Sequence, residues 1–320
     1  MRKTINAAIV QAAPVPLAID HGIEQLVQHV DKAAKDGAEI IAFGETFLGG
    51  YPLWLDEASD AAMWDHPGTQ ALHRIMLENA VVEGDQRFAP LQELVDRHDV
   101  MVSVGAHERR RSSLYNNQLL FRPNAKPLSH RKLVPTHGER LIWMRGDGST
   151  LKPHVAEDGS VIGSLICWEN WMPMARAAMH NQGEHIHVAA WPTVRESYSV
   201  ASRHYAFEGR CFVLAAGTIQ HQSDLLHGLE LAGGNAAAHE LLSAMDSKQL
   251  QSGGSQIVAP DTSILAQAGS QSEIITAELD MEQIGEALTS LDTDGHYSRP
   301  DVFELTVNTK AQDGVVWSDS

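Results

Sequence analysis

Short apolar runs rich in branched side chains recur along this chain, and they restrict its fold more than any other feature. They fall at Asn6–Gln11, Ala38–Phe43, Val100–Ala106, Val161–Ile166, Ile186–Ala190, Cys211–Ala215, Gln256–Ala259 and Ile274–Ala277, with Asn117–Phe121 continuing the series. Each is too short for a buried helix, so they read as strands, most of them covered on both faces. Segments with helical spacing lie between them. Asp20 is a candidate N-cap for a helix that places Ile23, Leu26, Val27, Val30, Ala33 and Ala34 on one side, with Gly37 as its stop signal. Phe88–His98, with Leu91, Leu94 and Val95 on one side, reads as another helix. Strands alternating with helices define an α/β chain.

Leu53–Gly84 is mixed and partly helical, Arg109–Ser113 reads as a loop, and Gly146–Ser149 as a turn without the surroundings of a phosphate cradle. Residues 221–254, rich in His, Gly, Leu and Ala, break the rhythm and read as a loop-helix insertion. No Pro- or Ser-rich linker divides the chain and no repeat is visible. The expectation is a single domain over residues 1–303 with a polar tail over 304–320. A chain of 320 residues that is 43% hydrophobic supplies the core such a domain needs.

The balance of 24 Lys and Arg against 41 Asp and Glu gives a net charge of -17, which repels phosphate backbones and anionic membranes. Nucleic acid and membrane are therefore set aside as partners. No stretch approaches the roughly 18 apolar residues that span a bilayer. Met1-Arg2-Lys3 opens like a signal peptide, but the apolar run Ala7–Val10 is broken at Gln11 and is too short for one. Two cysteines, Cys167 and Cys211, make no disulfide framework and fit a reducing compartment, so the expected location is the cytoplasm.

Glu45 and Cys167 each follow a buried strand, and Lys132 lies in His130–Thr136. Ligands of α/β sheets bind beyond the carboxyl ends of strands. A thiol attacks as thiolate, a carboxylate can take its proton, and an ammonium favours the thiolate and the anion that develops on attack. Each residue alone reads more simply: a lone Cys packs in a core, and a lone Glu or Lys is solvated. Cys211, opening the apolar run Cys211-Phe212-Val213-Leu214, is expected to be an inert core thiol. His185-x-His187 sets two imidazoles at strand spacing, with no third metal ligand at a useful distance in sequence. Six tryptophans, Trp54, Trp64, Trp143, Trp168, Trp171 and Trp191, fall near these segments and read as packing or as walls of an apolar pocket.

Together these segments resemble the nitrilase superfamily of carbon–nitrogen hydrolases, and its nitrilase branch in particular. Phe43-Gly44-Glu45-Thr46-Phe47-Leu48-Gly49-Gly50-Tyr51-Pro52 is similar to the general-base motif, His130–Arg140 to the lysine motif, and Cys167-Trp168-Glu169-Asn170-Trp171-Met172-Pro173 to the nucleophile motif. Ala190-Trp191-Pro192, Glu208-Gly209-Arg210-Cys211 and Gly295–Asp301 also match that branch, so the likeness runs from about Ala7 to Phe303. The resemblance implies a four-layer α-β-β-α sandwich that pairs into homodimers or larger homo-oligomers, with no cofactor and no metal. It implies Glu45 as general base, Lys132 as stabiliser of tetrahedral intermediates, Cys167 as nucleophile, and Glu139 as a second carboxylate that helps orient Lys132 or relay protons. The substrate it implies is a small nitrile, hydrolysed to acid and ammonia through a thioimidate and a thioester. An aliphatic amidase or a cyanide-hydrolysing enzyme of the same superfamily is the alternative. A non-catalytic assembly or redox-sensing protein using Cys167 as an oxidisable thiol has no need of Glu45, Lys132 and Glu139 together.

Overall fold

The computed structural model describes residues 2–245, 249–312 and 315. Strand β1 (Thr4–Gln11) runs parallel to β2 (Ile40–Phe43) and β2 parallel to β3 (Met101–Arg110), after which β4 (Ser113–Arg122) and β5 (Ala125–Arg131) fold back as antiparallel hairpins. A second sheet starts with β6 (His154–Val155) and continues through the parallel strands β7 (Val161–Ile166), β8 (Ile186–Ala190) and β9 (Phe212–Ala216). A small ribbon of β10 (Ile219–His221) and β11 (Gln249–Ser252) follows, then β12 (Gln256–Val258) and β13 (Ile264–Gln267) complete the second sheet. Finally β14 (Glu273–Asp280) returns to pair antiparallel with β1. The sheet orders are β14-β1-β2-β3-β4-β5 and β13-β12-β9-β8-β7-β6.

The two-residue period of a strand explains the layers. In β1 and β2, Ile5, Ala7, Ile9, Ile40 and Ala42 face the second sheet, where they meet Ile186, Val188, Phe212 and Leu214. Their neighbours Ala8, Val10, Ile41 and Phe43 face outward onto Ile23, Leu26 and Val30 of the helix Ile19–Lys35 and Leu91 and Val95 of the helix Ala89–His98. On the far side, Ala189, Val213 and Ala215 meet Met179 of the helix Pro173–His180 and Tyr205 and Ala206 of the helix Glu196–Gly209. The result is helix, sheet, sheet, helix, the four-layer α-β-β-α arrangement. No helix among the described residues is long and apolar enough to cross a membrane.

Several details differ from the sequence reading. The helix begins at Ile19 with Ala18 at its N-cap, so Asp20 does not cap but lies in the first turn, at the positive end of the helix dipole. Gly37 does end the segment, at φ 95°, with the Ala38 N–H donating to the Ala33 carbonyl. Arg109–Ser113 is mostly strand, and the turn itself is Arg111–Ser112 with Arg111 at φ 57°. Charged residues there mark exposed hairpin ends rather than a loop. The segment Ala125–Arg131 carries no continuous apolar run because most of its residues are only half-buried, yet it is strand β5. The 221–254 segment holds the helices Gln222–Leu231 and Ala236–Ser243 and strand β11. Leu225, Leu229, Leu241 and Leu242 of those helices pack with Leu72, Ile75 and Met76 of the helix Pro67–Asn79 in a satellite core beside the sandwich. Residues 246–248 of that segment lie outside the described residues, as do 313, 314 and 316–320 of the tail. The described tail residues are exposed, and Gln312 N donates to Asp147 Oδ2 at 2.7 Å.

Candidate active site

Three strand ends converge. β2 stops two residues before Glu45, β5 immediately before Lys132 and β7 immediately before Cys167. The sequence places two of these side chains at strand ends, and the structure adds the third. Glu45 is held by its surroundings: its N–H donates across to the Trp191 carbonyl of the second sheet at 3.1 Å. A Cβ on Gly105 would lie 2.2 Å from the Thr46 nitrogen, so only glycine lets β3 approach this turn.

Lys132 Nζ donates to Glu45 Oε1 at 2.8 Å and to Glu139 Oε1 and Oε2 at 2.9 and 2.8 Å, and all three side chains are buried. Glu139 sits in the short helix His137–Leu141, where the Thr136 N–H donates to its Oε2 at 2.7 Å and the Tyr51 hydroxyl to its Oε1 at 2.6 Å. Asn116 Nδ2 donates to Glu45 Oε1 at 2.7 Å, and the Asn116 carbonyl accepts from the Lys132 N–H at 2.8 Å. Glu45 Oε2 has no hydrogen-bond partner among the described residues, which leaves a buried carboxylate oxygen free to take a proton. One oxygen each of Glu45 and Glu139 and the Cys167 sulfur lie within 4.8 Å of one another. Three such atoms can hold a cation, but the Lys132 ammonium already supplies the positive charge to both carboxylates.

Cys167 has φ 53°, a left-handed conformation that a side-chain-bearing residue adopts at a cost of about 1–2 kcal/mol. It opens the short helix Cys167–Trp171, so the chain turns sharply at the thiol. Glu169 straddles this turn. Its Oε2 accepts from the Ile166 N–H at 2.7 Å and lies 2.9 Å from His130 Nε2, while its Oε1 accepts from the Leu133 N–H at 2.7 Å. One carboxylate thus ties the residue before Cys167 to the residue after Lys132.

Burial dominates the electrostatics. It pushes Glu45 up to about 7, the Glu139 charge adds to this, and the Lys132 charge opposes it. Burial would strip the proton from Lys132, but Cys167, Glu45 and Glu139 hold it there, well above the usual lysine range. Burial and the Glu45 charge also raise the Cys167 thiol, against the pull of Lys132 and the Trp168 N–H. The resting state is therefore a thiol beside an ammonium and a carboxylate poised near neutrality. Burial raises Cys211 as well, and the Glu184 and Glu208 charges add to it.

All four expected site residues meet at one place, whereas Asn116, Tyr51, Glu169 and Asn170 received no role from the sequence. Tyr51, Glu169 and Asn170 do stand inside motif segments, while Asn116 lies outside them, just before the run Asn117–Phe121. His185 and His187 form no pair: His185 precedes β8 and accepts from the Val161 N–H at 3.0 Å, and His187 is buried among other partners. The tryptophans divide. Trp54, Trp143 and Trp191 are buried, Trp64 is 87% exposed, and Trp168 stacks edge-on against Trp171, which contacts Trp191 and Tyr198 beside the thiol.

A two-sheet α/β sandwich that brings a thiol, a carboxylate and an ammonium together at converging strand ends, with a second carboxylate from a short helix, has the parts of a hydrolase. The chain belongs to the carbon-nitrogen hydrolase family, whose model matches residues 6–288. It is 36% identical to an aliphatic nitrilase of Sinorhizobium fredii, over 97% of this chain and 98% of the relative. It is 35% identical to a nitrilase of Pseudomonas syringae pv. syringae, over 96% of this chain and 91% of that protein. The fold matches the NitFhit protein of C. elegans at 15% identity with a TM-score of 0.71, covering 97% of this chain and 69% of that one. It matches Nit3 of Saccharomyces cerevisiae at 16% identity with a TM-score of 0.67, covering 93% and 97%.

Proposed function

We propose that this chain is a nitrilase that converts an organic nitrile to the carboxylic acid and ammonia, with Cys167 as nucleophile. The buried convergence of Cys167, Lys132, Glu45 and Glu139 carries the reading, supported by full-length likeness to nitrilases. Glu45 accepts the thiol proton as sulfur attacks the nitrile carbon, and the proton passes to nitrogen to give a thioimidate. Lys132 stabilises charge on nitrogen as it develops. Water, deprotonated by Glu45, adds to the thioimidate carbon, and the resulting intermediate can lose ammonia or thiolate. Glu45, holding the proton it took, returns it to nitrogen so that ammonia leaves and a thioester remains. A second water, activated in the same way, releases the acid and restores the thiol. Glu139 holds the Lys132 ammonium in place. The same reading takes residues 1–303 as one catalytic domain, the cytoplasm as its location, and a homodimer or larger homo-oligomer as its working form.

A panel of aliphatic, aromatic and arylacetonitriles, with cyanide and the matching amides, tests this by ammonia release with acid and amide separated chromatographically. Acid as the main product from a nitrile, appearing in step with ammonia, is the expected result. Amide hydrolysis without nitrile turnover would instead identify an amidase, and turnover of cyanide alone a cyanide-hydrolysing enzyme. Light scattering on the purified protein checks the oligomeric form.

A further inference from the structure

A second buried polar cluster lies behind the nucleophile, and the proposed chemistry makes no use of it. Asn170 Nδ2 donates to the Cys167 carbonyl at 2.9 Å and to the Leu165 carbonyl at 3.2 Å. Asn170 Oδ1 lies 2.9 Å from His187 Nε2, and His187 Nδ1 lies 3.0 Å from Glu184 Oε1. The Tyr205 hydroxyl donates to the other Glu184 oxygen, and the Tyr205 ring stacks on His187 with centroids 3.7 Å apart. All four side chains are buried, Asn170 at 1% and His187 at 0% exposure. Room for the carboxylate comes from Gly163, where a Cβ would sit 1.6 Å from Glu184 Oε1.

The hydrogen-bond inventory fixes the direction of the bonds that Asn170 makes. With its nitrogen committed to two carbonyls, Asn170 offers only its oxygen to His187, so His187 Nε2 carries a proton. Glu184 accepts from Tyr205 on one oxygen and faces His187 Nδ1 with the other, which fixes the orientation of the imidazole ring. Held between Glu184 on one side and Asn170 on the other, the His187 ring presents Nε2 to the Asn170 oxygen and keeps the carboxamide from flipping. The Asn170 carboxamide in turn grips the carbonyls that flank the left-handed turn at Cys167.

We infer that His187, oriented by Glu184 and Tyr205, is a positioning residue that locks Asn170 and thereby holds Cys167 in the conformation that presents its sulfur to Glu45 and Lys132. This rests on Cys167 being the nucleophile. The turn at Cys167 is costly for a non-glycine residue, so without the grip its backbone can relax toward an ordinary conformation and carry the sulfur away.

The test compares His187→Leu with His187→Gln, whose amide nitrogen can restore the donor to Asn170 without the link to Glu184. His187→Leu is expected to lower kcat on a good nitrile about 10- to 100-fold with KM within about twofold, the scale of losing one strong hydrogen bond that acts on the reacting geometry. Alkylation of Cys167 by iodoacetamide should slow by a similar factor, and His187→Gln should recover both rates to within about fivefold. A folded His187→Leu protein with wild-type kcat and alkylation rate overturns the inference, as does a His187→Gln protein as slow as His187→Leu. Should the leucine variant fail to fold, Asn170→Ala removes the grip while leaving His187, Glu184 and Tyr205 in place. The same loss is expected there, and wild-type rates overturn the inference. Cys167→Ala, measured in parallel, separates the two readings. If it is inactive while the His187 variants behave as wild type, only the positioning role fails; if it keeps turnover, the assignment of the nucleophile fails first.

Discussion

A buried thiol cannot attack until its proton has somewhere to go, and at Cys167 the receiver is within reach. Glu45 and Cys167 offer atoms inside a 4.8 Å cluster, and Glu45 keeps one oxygen without a donor. Removing that oxygen's basicity or the neighbouring charge should therefore stop the chemistry. Glu45→Gln and Lys132→Met are each expected to cost a factor of roughly 10² to 10³ in turnover. Near wild-type turnover in either variant would remove that residue from the mechanism. A thiol reagent should modify Cys167 before Cys211 in the native protein, because only Cys167 adjoins an ammonium. Peptide mapping that found Cys211 labelled first with activity intact would reverse the assignment. Glu45, raised to about 7 by burial, also predicts two opposite pH trends. Catalysis needs the carboxylate, so kcat/KM should rise with pH up to and through about 7. Stability should move the other way. The folded protein binds a proton at Glu45 that the unfolded chain releases above its ordinary value of 4.5, so this contribution is full below 4.5 and is lost as pH rises through about 7. Unfolding curves for wild type and Glu45→Gln between those pH values check it, and equal slopes would show that Glu45 titrates normally in the fold.

At the scale of elements, the site depends on how closely strands approach. Gly105 sits on β3 where a methyl group would collide with backbone atoms of the Glu45 turn: the Thr46 nitrogen at 2.2 Å and the Gly44 oxygen at 2.6 Å. Neither atom is the movable end of a side chain, so Gly105→Ala must push β3 and the turn apart. The expected result is a loss of stability of about 1–3 kcal/mol, as for overpacking a dense core, with turnover falling further than stability because Glu45 is displaced. A Gly105→Ala protein with unchanged denaturation midpoint and turnover would contradict that geometry. The same scale shows what the sequence revealed. Buried parallel strands were legible because both faces are apolar, and so were Glu45 and Cys167, which interrupt that pattern at its ends. Strand β5 was hidden because it is the half-exposed edge of its sheet, so Lys132 had a motif but no visible support. The helix Glu196–Gly209 was hidden too, since it buries small and polar residues, Ser199, Ala201, Ser202 and Ala206, and shows little apolar contrast. The contacts of Glu169 and Asn116 join residues far apart in sequence and leave no trace in local spacing.

At the scale of the whole molecule, the site belongs to neither sheet alone. Glu45 and Lys132 extend from the first sheet and Cys167 from the second, and the apolar layer between the sheets sets their separation. Glu169 bridges the two halves by hydrogen bonds to Leu133 and Ile166, but a few hydrogen bonds cannot hold two sheets together without that layer. Leu214, fully buried on β9 and facing the first sheet, is a position where the layer can be weakened by one truncation. Leu214→Ala should destabilise the fold by about 2–5 kcal/mol through lost burial and the cavity left behind. Interiors this dense yield cooperatively, so the active geometry should persist until the sheets part. Activity and tertiary-structure signals are therefore expected to disappear together in a denaturant titration, both at a lower midpoint than in wild type. Loss of activity at a denaturant concentration where near-ultraviolet circular dichroism is still native would mean that the strand ends loosen before the sheets separate. In that case the hydrogen bonds around Cys167 and Lys132, rather than the apolar layer, would be setting the distance between nucleophile and ammonium.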